Sequence, residues 1–193
     1  MRKFVLAAVL VLVASGAQAA TLDVVGGQLM GAFGVDVEGT LYDVEFLEGS
    51  CIALYSGCDH VSDFTFQTQA AAILAAQALL DQVIVDGGVG QFDSQPGLTF
   101  GCISAAAFCD VLTPYAFPLP GPPPQTVANA SSRNEPSFRT IYGLTKGTSS
   151  DTYFDFNSVY AKWSTPVPEP NTALLLSLGL TGLSWKGRRS LRA

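Results

Sequence analysis

The residues best placed to do chemistry are four cysteines, Cys51, Cys58, Cys102 and Cys109, with six residues between the members of each pair. Thiolates bind zinc most often when spaced by about two to four residues, so this spacing suits a four-thiolate zinc site poorly. An even number of cysteines in an oxidising compartment reads as disulfides, and the N-terminus supplies the compartment. Arg2 and Lys3 precede an apolar run from Phe4 to Ala14, and Ala17-Gln18-Ala19 offers small residues for cleavage between Ala19 and Ala20. This is the pattern of a secretory signal peptide, read by a signal peptidase. Four cysteines allow three connectivities, and spacing alone does not choose among them. The short separations favour two local loops, each stabilising the fold by ~2.5 kcal/mol in the chain-entropy model.

Other chemistry is sparse. His60 is the sole histidine, beside Cys58 and Asp59, without the surroundings of a nucleophile elbow. A solvated loop position is expected for it, and a site of several histidines is excluded. Between residues 20 and 167 stand fifteen Asp and Glu against four basic residues, Arg133, Arg139, Lys146 and Lys162, a net −11. Nucleic acid, which requires a basic footprint, is therefore not an expected partner. An acid–base pair of glycosidase type assembles in space rather than in sequence, so a secreted carboxylate-based polysaccharide-active enzyme is the competing reading. Most of the carboxylates, however, alternate with apolar residues as on a solvated sheet face, and no catalytic residue or cofactor is expected. A calcium- or zinc-binding extracellular module is a third reading. Asp86 and Asp93 flank the loop Gly87-Gly88-Val89-Gly90, which lacks both the ligand alternation of an EF-hand and the Lys-Ser/Thr of a phosphate loop. Tyr42, Tyr55, Tyr115, Phe117, Tyr153, Tyr160 and Trp163 suit either sugar stacking or a core.

The elements that must carry these residues follow from periodicity. Val35-Asp36-Val37-Glu38 and Tyr42-Asp43-Val44-Glu45-Phe46 alternate with period two, placing Tyr42, Val44 and Phe46 on one face and predicting an N-terminal hairpin. Residues 68 to 85 are rich in Ala, Leu and Gln and predict a helix capped by Thr68, with Ile73, Ala76, Leu80, Val83 and Ile84 facing the core and Gly87-Gly88 ending it. The prolines from Pro118 to Pro124 predict a loop or linker over 114–137, and Asn129-Ala130-Ser131 within it fits a glycosylation sequon. Arg139–Tyr142, Thr152–Phe156 and Val159–Trp163 predict three further strands. The expected fold is α+β: a small antiparallel sheet of N-terminal hairpin and C-terminal strands, one Ala-rich helix packed on it, two disulfide loops and a C-terminal transmembrane segment.

The tail is the most specific stretch. Val167-Pro168-Glu169-Pro170 is followed by an uncharged run over 171–185 and then by Lys186, Arg188, Arg189 and Arg192. A 15-residue helix reaches about 22 Å, short of a ~30 Å hydrocarbon core, so the run is a marginal anchor. The four basic residues act as a membrane stop and favour the cytoplasmic side. This ordered set resembles the PEP-CTERM sorting signal. The resemblance implies that an exosortase recognises Pro168, Glu169 and Pro170, processes the chain near them, and releases it from the inner membrane to the cell surface or an exopolysaccharide-rich matrix. The body, with Leu41–Phe46, the paired cysteines and Tyr160–Trp163, is similar to uncharacterised PEP-CTERM proteins, which implies no activity. The expected organisation is a signal peptide (1–19), one α+β domain in two parts (20–113 and 138–165) interrupted by the linker (114–137), and the sorting signal (166–193).

Overall fold

The computed structural model describes residues 19–103, 107–118 and 126–166. The signal peptide and the tail beyond residue 166, including the anticipated anchor at 171–185, lie outside the described residues. Among those described, no helix is long and apolar enough to cross a membrane.

The alternating N-terminal segments form β2 (Gln28–Val37) and β3 (Thr40–Leu47). They meet at Glu38 and Gly39, whose φ angles of 51° and 83° make the left-handed two-residue turn that matches strand twist. The Gly39 N–H donates to Asp36 Oδ1 at 2.6 Å, closing the turn from the side chain. A further strand, β1 (Thr21–Val25), pairs outside β2, so the anticipated hairpin is a three-stranded meander. It begins one residue after the expected signal-peptide cleavage point.

A second meander follows the helical region. It comprises β6 (Cys109–Ala116), β7 (Thr126–Glu135) and β8 (Phe138–Gly147), while β4 (Asp86–Gly87) and β5 (Gly90–Gln91) make a minute separate hairpin. The last strand, β9 (Ser158–Ser164), inserts between the meanders, antiparallel to β3 and parallel to β6. The result is one seven-stranded mixed sheet in the order β1-β2-β3-β9-β6-β7-β8, larger than the small antiparallel sheet expected.

Two strand assignments are corrected. Most of 114–137 is not a linker: Pro114 ends the regular part of β6 at a register shift, and β7 is buried along most of its length. Proline is tolerated where a ladder is interrupted, and β7 reads as a linker because its buried positions are filled by Ala128, Ala130, Ser131 and Ser132. Small residues are needed there because the helix packs closely, with Ser132 Oγ donating to the Ala76 carbonyl at 2.8 Å. Asn129 of the sequon is fully buried, its amide donating to the Val127 and Leu144 carbonyls. Conversely, Thr152–Phe156 is not a strand: Thr152–Phe154 is a single 3-10 turn.

The short helix α1 (Cys51–Leu54) lies within the first disulfide loop, and α2 (Gln69–Ala78) is the expected Ala-rich helix. Thr68 caps α2 by accepting the Ala71 N–H at 3.2 Å. A π-helical turn, Leu79–Val83, continues it and shifts its buried face. Ala72, Ala75, Ala76, Leu79, Leu80 and Val83 are buried, whereas Ile73, assigned to the core by periodicity, is 40% exposed. Two apolar clusters cover the two sides of the sheet. One joins α2 to Phe46, Val111 and Val159; the other joins Cys51, Cys58, Tyr55 and Phe64 to Leu112, Val127 and Tyr160. Neighbouring residues 111 and 112, and 159 and 160, divide between them, as strand alternation requires.

Candidate functional site

The cysteines pair locally, Cys51 with Cys58 and Cys102 with Cys109, at Cα separations of 5.6 and 5.9 Å. Oxidised sulfur offers no thiolate to zinc. Both bridges are buried and rivet loops to the sheet: Cys51 and Cys58 to the Tyr160 side, Cys102 and Cys109 to the helix side. His60 is exposed and caps a 3-10 turn with Asp63, whose Oδ2 accepts the His60 N–H at 3.0 Å. The Asp86 carboxylate accepts the backbone N–H groups of Asp93 and Ser94 at 2.9 and 3.0 Å. Those bonds, that from Ser94 first, hold Asp86 below the usual carboxylate range. Its role is to close the loop. Among the described residues no group of three or more His, Cys, Asp or Glu stands close enough to hold a metal.

The aromatic residues separate into core and surface. Tyr42 and Phe66 each pack edge to face with Trp163 and tilted against each other, and Trp163 Nε1 donates to Thr113 Oγ1 at 3.2 Å. Tyr55 and Tyr160 are buried against each other, with Tyr55 OH donating to the Ala161 carbonyl at 2.9 Å. Burial raises both phenols, Tyr55 further through Tyr160. Tyr153 belongs to the surface at 62% exposure, with Phe154 at 75% and Phe156 at 59%.

These three rings are displayed on a heavily bonded turn. Asp151 Oδ1 accepts the Tyr153 N–H at 2.9 Å, and Thr152 is tied to Gly49 through its backbone N–H at 3.1 Å and its hydroxyl at about 3 Å. Lys146 Nζ is ion-paired with Asp155 and donates to Ser158 Oγ at 3.0 Å. Partial burial acts to raise the Asp155 carboxyl, but Lys146 and Ser158 outweigh it and lower it on balance. Ile103, also exposed and next to the second disulfide, donates its N–H to the Phe156 carbonyl at 3.1 Å. Tyr153 and Phe154 pack edge to face, with ring centres 5.2 Å apart, so the turn holds exposed apolar rings on a backbone fixed at several points. Periodicity misread this segment because β-branched and aromatic residues suit a strand and an exposed turn alike.

The carboxylates gather elsewhere. Asp23, Asp43 and Glu45, with Phe33, Lys162 and Ser164, line an open groove of about 350 Å³ on the face of β1, β2, β3 and β9 opposite the helix. Asp43 Oδ1 accepts the Gly34 N–H at 2.9 Å, and Glu45 pairs in register with Lys162. The groove is thus the solvated face that the alternation predicts. A separate cluster around the buried Asp110, missed at the level of sequence, joins it to Arg133 through bonds of 3.0 and 2.8 Å, with Tyr142 OH donating to Asp110 Oδ2 at 2.6 Å. Its groups satisfy one another, which makes it an architectural lock across β6, β7 and β8.

The aromatic turn and the tail leave β9 at opposite ends. The turn enters β9 at Ser158 and the tail departs beyond Ser164, roughly 20 Å away at the usual strand rise. Pro168, Glu169, Pro170 and the basic residues 186–192 lie outside the described residues. No curated protein and no solved structure matches the chain. Residues 166–189 do match a family model, the PEP-CTERM protein-sorting motif, so the chain carries that motif in its tail.

Proposed function

We propose that this is a non-catalytic component of the cell surface or extracellular matrix that holds extracellular polysaccharide against the aromatic turn of Tyr153, Phe154 and Phe156. The match at 166–189 carries the reading, because a PEP-CTERM motif implies export, a membrane-associated C-terminal sorting tail and processing by an exosortase. In this reading a signal peptidase cuts between Ala19 and Ala20, and the exosortase acts near Pro168-Glu169-Pro170. While the tail remains in the membrane, the aromatic turn lies at the far end of β9 from it, directed towards whatever surrounds the cell. The acidic body keeps the domain soluble and selects against anionic partners.

Two experiments test this. Deleting 168–193 is expected to change the final location; unchanged localisation refutes the sorting part. Affinity electrophoresis in the producer's own polysaccharide tests the rest. The chain is expected to be retarded, and a Tyr153→Ser/Phe154→Ser variant to run freely. Equal retardation of both refutes the role of the turn, and shortening of the glycan refutes the non-catalytic role.

A further inference from the structure

Strand β8 is a ten-residue edge of the sheet, paired with β7 on one side and, among the described residues, with no strand on the other. Such an edge presents a row of backbone donors and acceptors to any strand that fits. Lysine and arginine commonly guard edges, but here both are turned onto their own domain. Arg139 Nη1 donates to the Leu80 carbonyl at 2.7 Å, and Lys146 is engaged by Asp155. The other edge, β1, is half as long and interrupted by a register shift at Asp23/Val24, a feature that blunts an edge.

The edge also carries a hollow. A pit of about 220 Å³ lies between α2 and the sheet, lined by Ile73, Tyr115, Ala130, Ile141 and Gly143. Gly143 forms its open side: a Cβ there would meet no atom within 4 Å, and its φ lies outside the left-handed region. Ile141 and Gly143 are two residues apart on one strand and therefore share a face. Ile73, which the helix leaves exposed, stands over the same pit.

We propose that β8 pairs antiparallel with β8 of a second copy about a two-fold axis at Tyr142, giving a dimer whose two seven-stranded sheets are continuous. In that register Ile141, at the wall of its own pit, lies opposite the partner's Gly143 and borders the open side of the partner's pit. Thr140 meets the partner's Leu144, Arg139 the partner's Thr145, and Phe138 covers the stem of the partner's Lys146. No like charges face each other. Slipping by one residue sets Arg139 against the partner's Lys146 and puts the two helices on opposite faces, so charge and packing select the same register. A second copy is the occupant this favours, since one register sets Ile141 beside the space left by the partner's Gly143 and keeps Arg139 and Lys146 apart.

The interface is narrower than the ~1,600 Å² of a standard complex, so a micromolar dimer is expected. Sedimentation velocity of the full chain in detergent, over roughly 1–200 µM, tests it. Wild type is expected to pass from monomer to dimer. Gly143→Val places a β-branched side chain where the structure has space, so its melting temperature should not fall, while dimerisation weakens at least tenfold. Ile141→Ala, which removes the side chain set opposite the partner's Gly143, is expected to weaken it as well. A wild-type chain that stays monomeric throughout, or a dimer equally strong in both variants, overturns the proposal.

Discussion

Arg133→Met tests whether the lock across β6, β7 and β8 holds the second meander together. Asp110 is 5% exposed, and the Arg133 guanidinium meets it with two bonds of 3.0 and 2.8 Å while lying 4.0 Å from the centre of the Phe108 ring. Removing one partner from a buried ion pair costs about 3–5 kcal/mol, because the remaining charge is uncompensated. Two features lower that figure: Tyr142 OH still donates to Asp110 Oδ2, and the Arg133 side chain is 29% exposed, so water can enter where the guanidinium was. Loss of the cation–π contact adds ~0.5–1 kcal/mol. The net expectation is about 2–3 kcal/mol, or a fall of roughly 5–10 °C in Tm for a domain of this size. Urea unfolding at neutral pH with disulfides intact measures it. Arg133→Met/Asp110→Leu is the discriminating variant, since a pair replaced by apolar residues is close to neutral. If the double variant is no more stable than Arg133→Met, the penalty is lost packing rather than a stranded carboxylate, and the reasoning fails.

The other predictions concern alkaline pH and the tail. Tyr55, Tyr142 and Tyr160 are all raised above the ordinary phenol range, chiefly by burial. A raised phenol stabilises the fold fully below its unfolded pKa near 10, and that contribution is lost as pH rises through the folded value. Stability should therefore decline above about pH 10 by up to ~1.4 kcal/mol per pH unit for each of the buried Tyr55 and Tyr160 phenols still protonated in the fold, and by less for the more solvated Tyr142. A urea midpoint unchanged to about pH 11.5 contradicts this assignment. Among the described residues every member of both core clusters precedes Ser164 and the sheet is complete with β9, so deleting 168–193 should leave the thermal midpoint of the domain unaltered. A fall of more than about 4 °C would place tail residues in the fold.

Legibility in the sequence followed the range of the interactions involved. The Tyr42–Phe46 alternation, the Thr68 cap and the local cysteine pairs are set by residues within a few positions of one another, and the structure contains all three. Strand β7 was lost because its apolar signal is replaced by alanine and serine, and the reason for small residues there is α2, more than fifty residues earlier in the chain. The same distance explains Ile73. An uninterrupted helix places it with Ala76 and Leu80 on one stripe, but the π turn at Leu79–Val83 allows the alanines to face the sheet in the first half of the helix and the larger residues in the second.

The functional surfaces divide along the same line. A sorting signal is recognised as a linear segment, so Pro168-Glu169-Pro170, the apolar run and the basic end keep their meaning before any folding. A contact surface depends instead on which rings the fold leaves uncovered. In Thr152-Tyr153-Phe154-Asp155-Phe156 the strand pattern fails because Thr152 bonds to Gly49 and Asp155 to Lys146, partners that composition does not reveal. Those two anchors hold the backbone in a turn and leave the intervening rings no core to enter. The rings' exposure is therefore a consequence of long-range bonding. Loosening an anchor, as in Thr152→Val, should disturb the aromatic surface before it disturbs the sheet beneath.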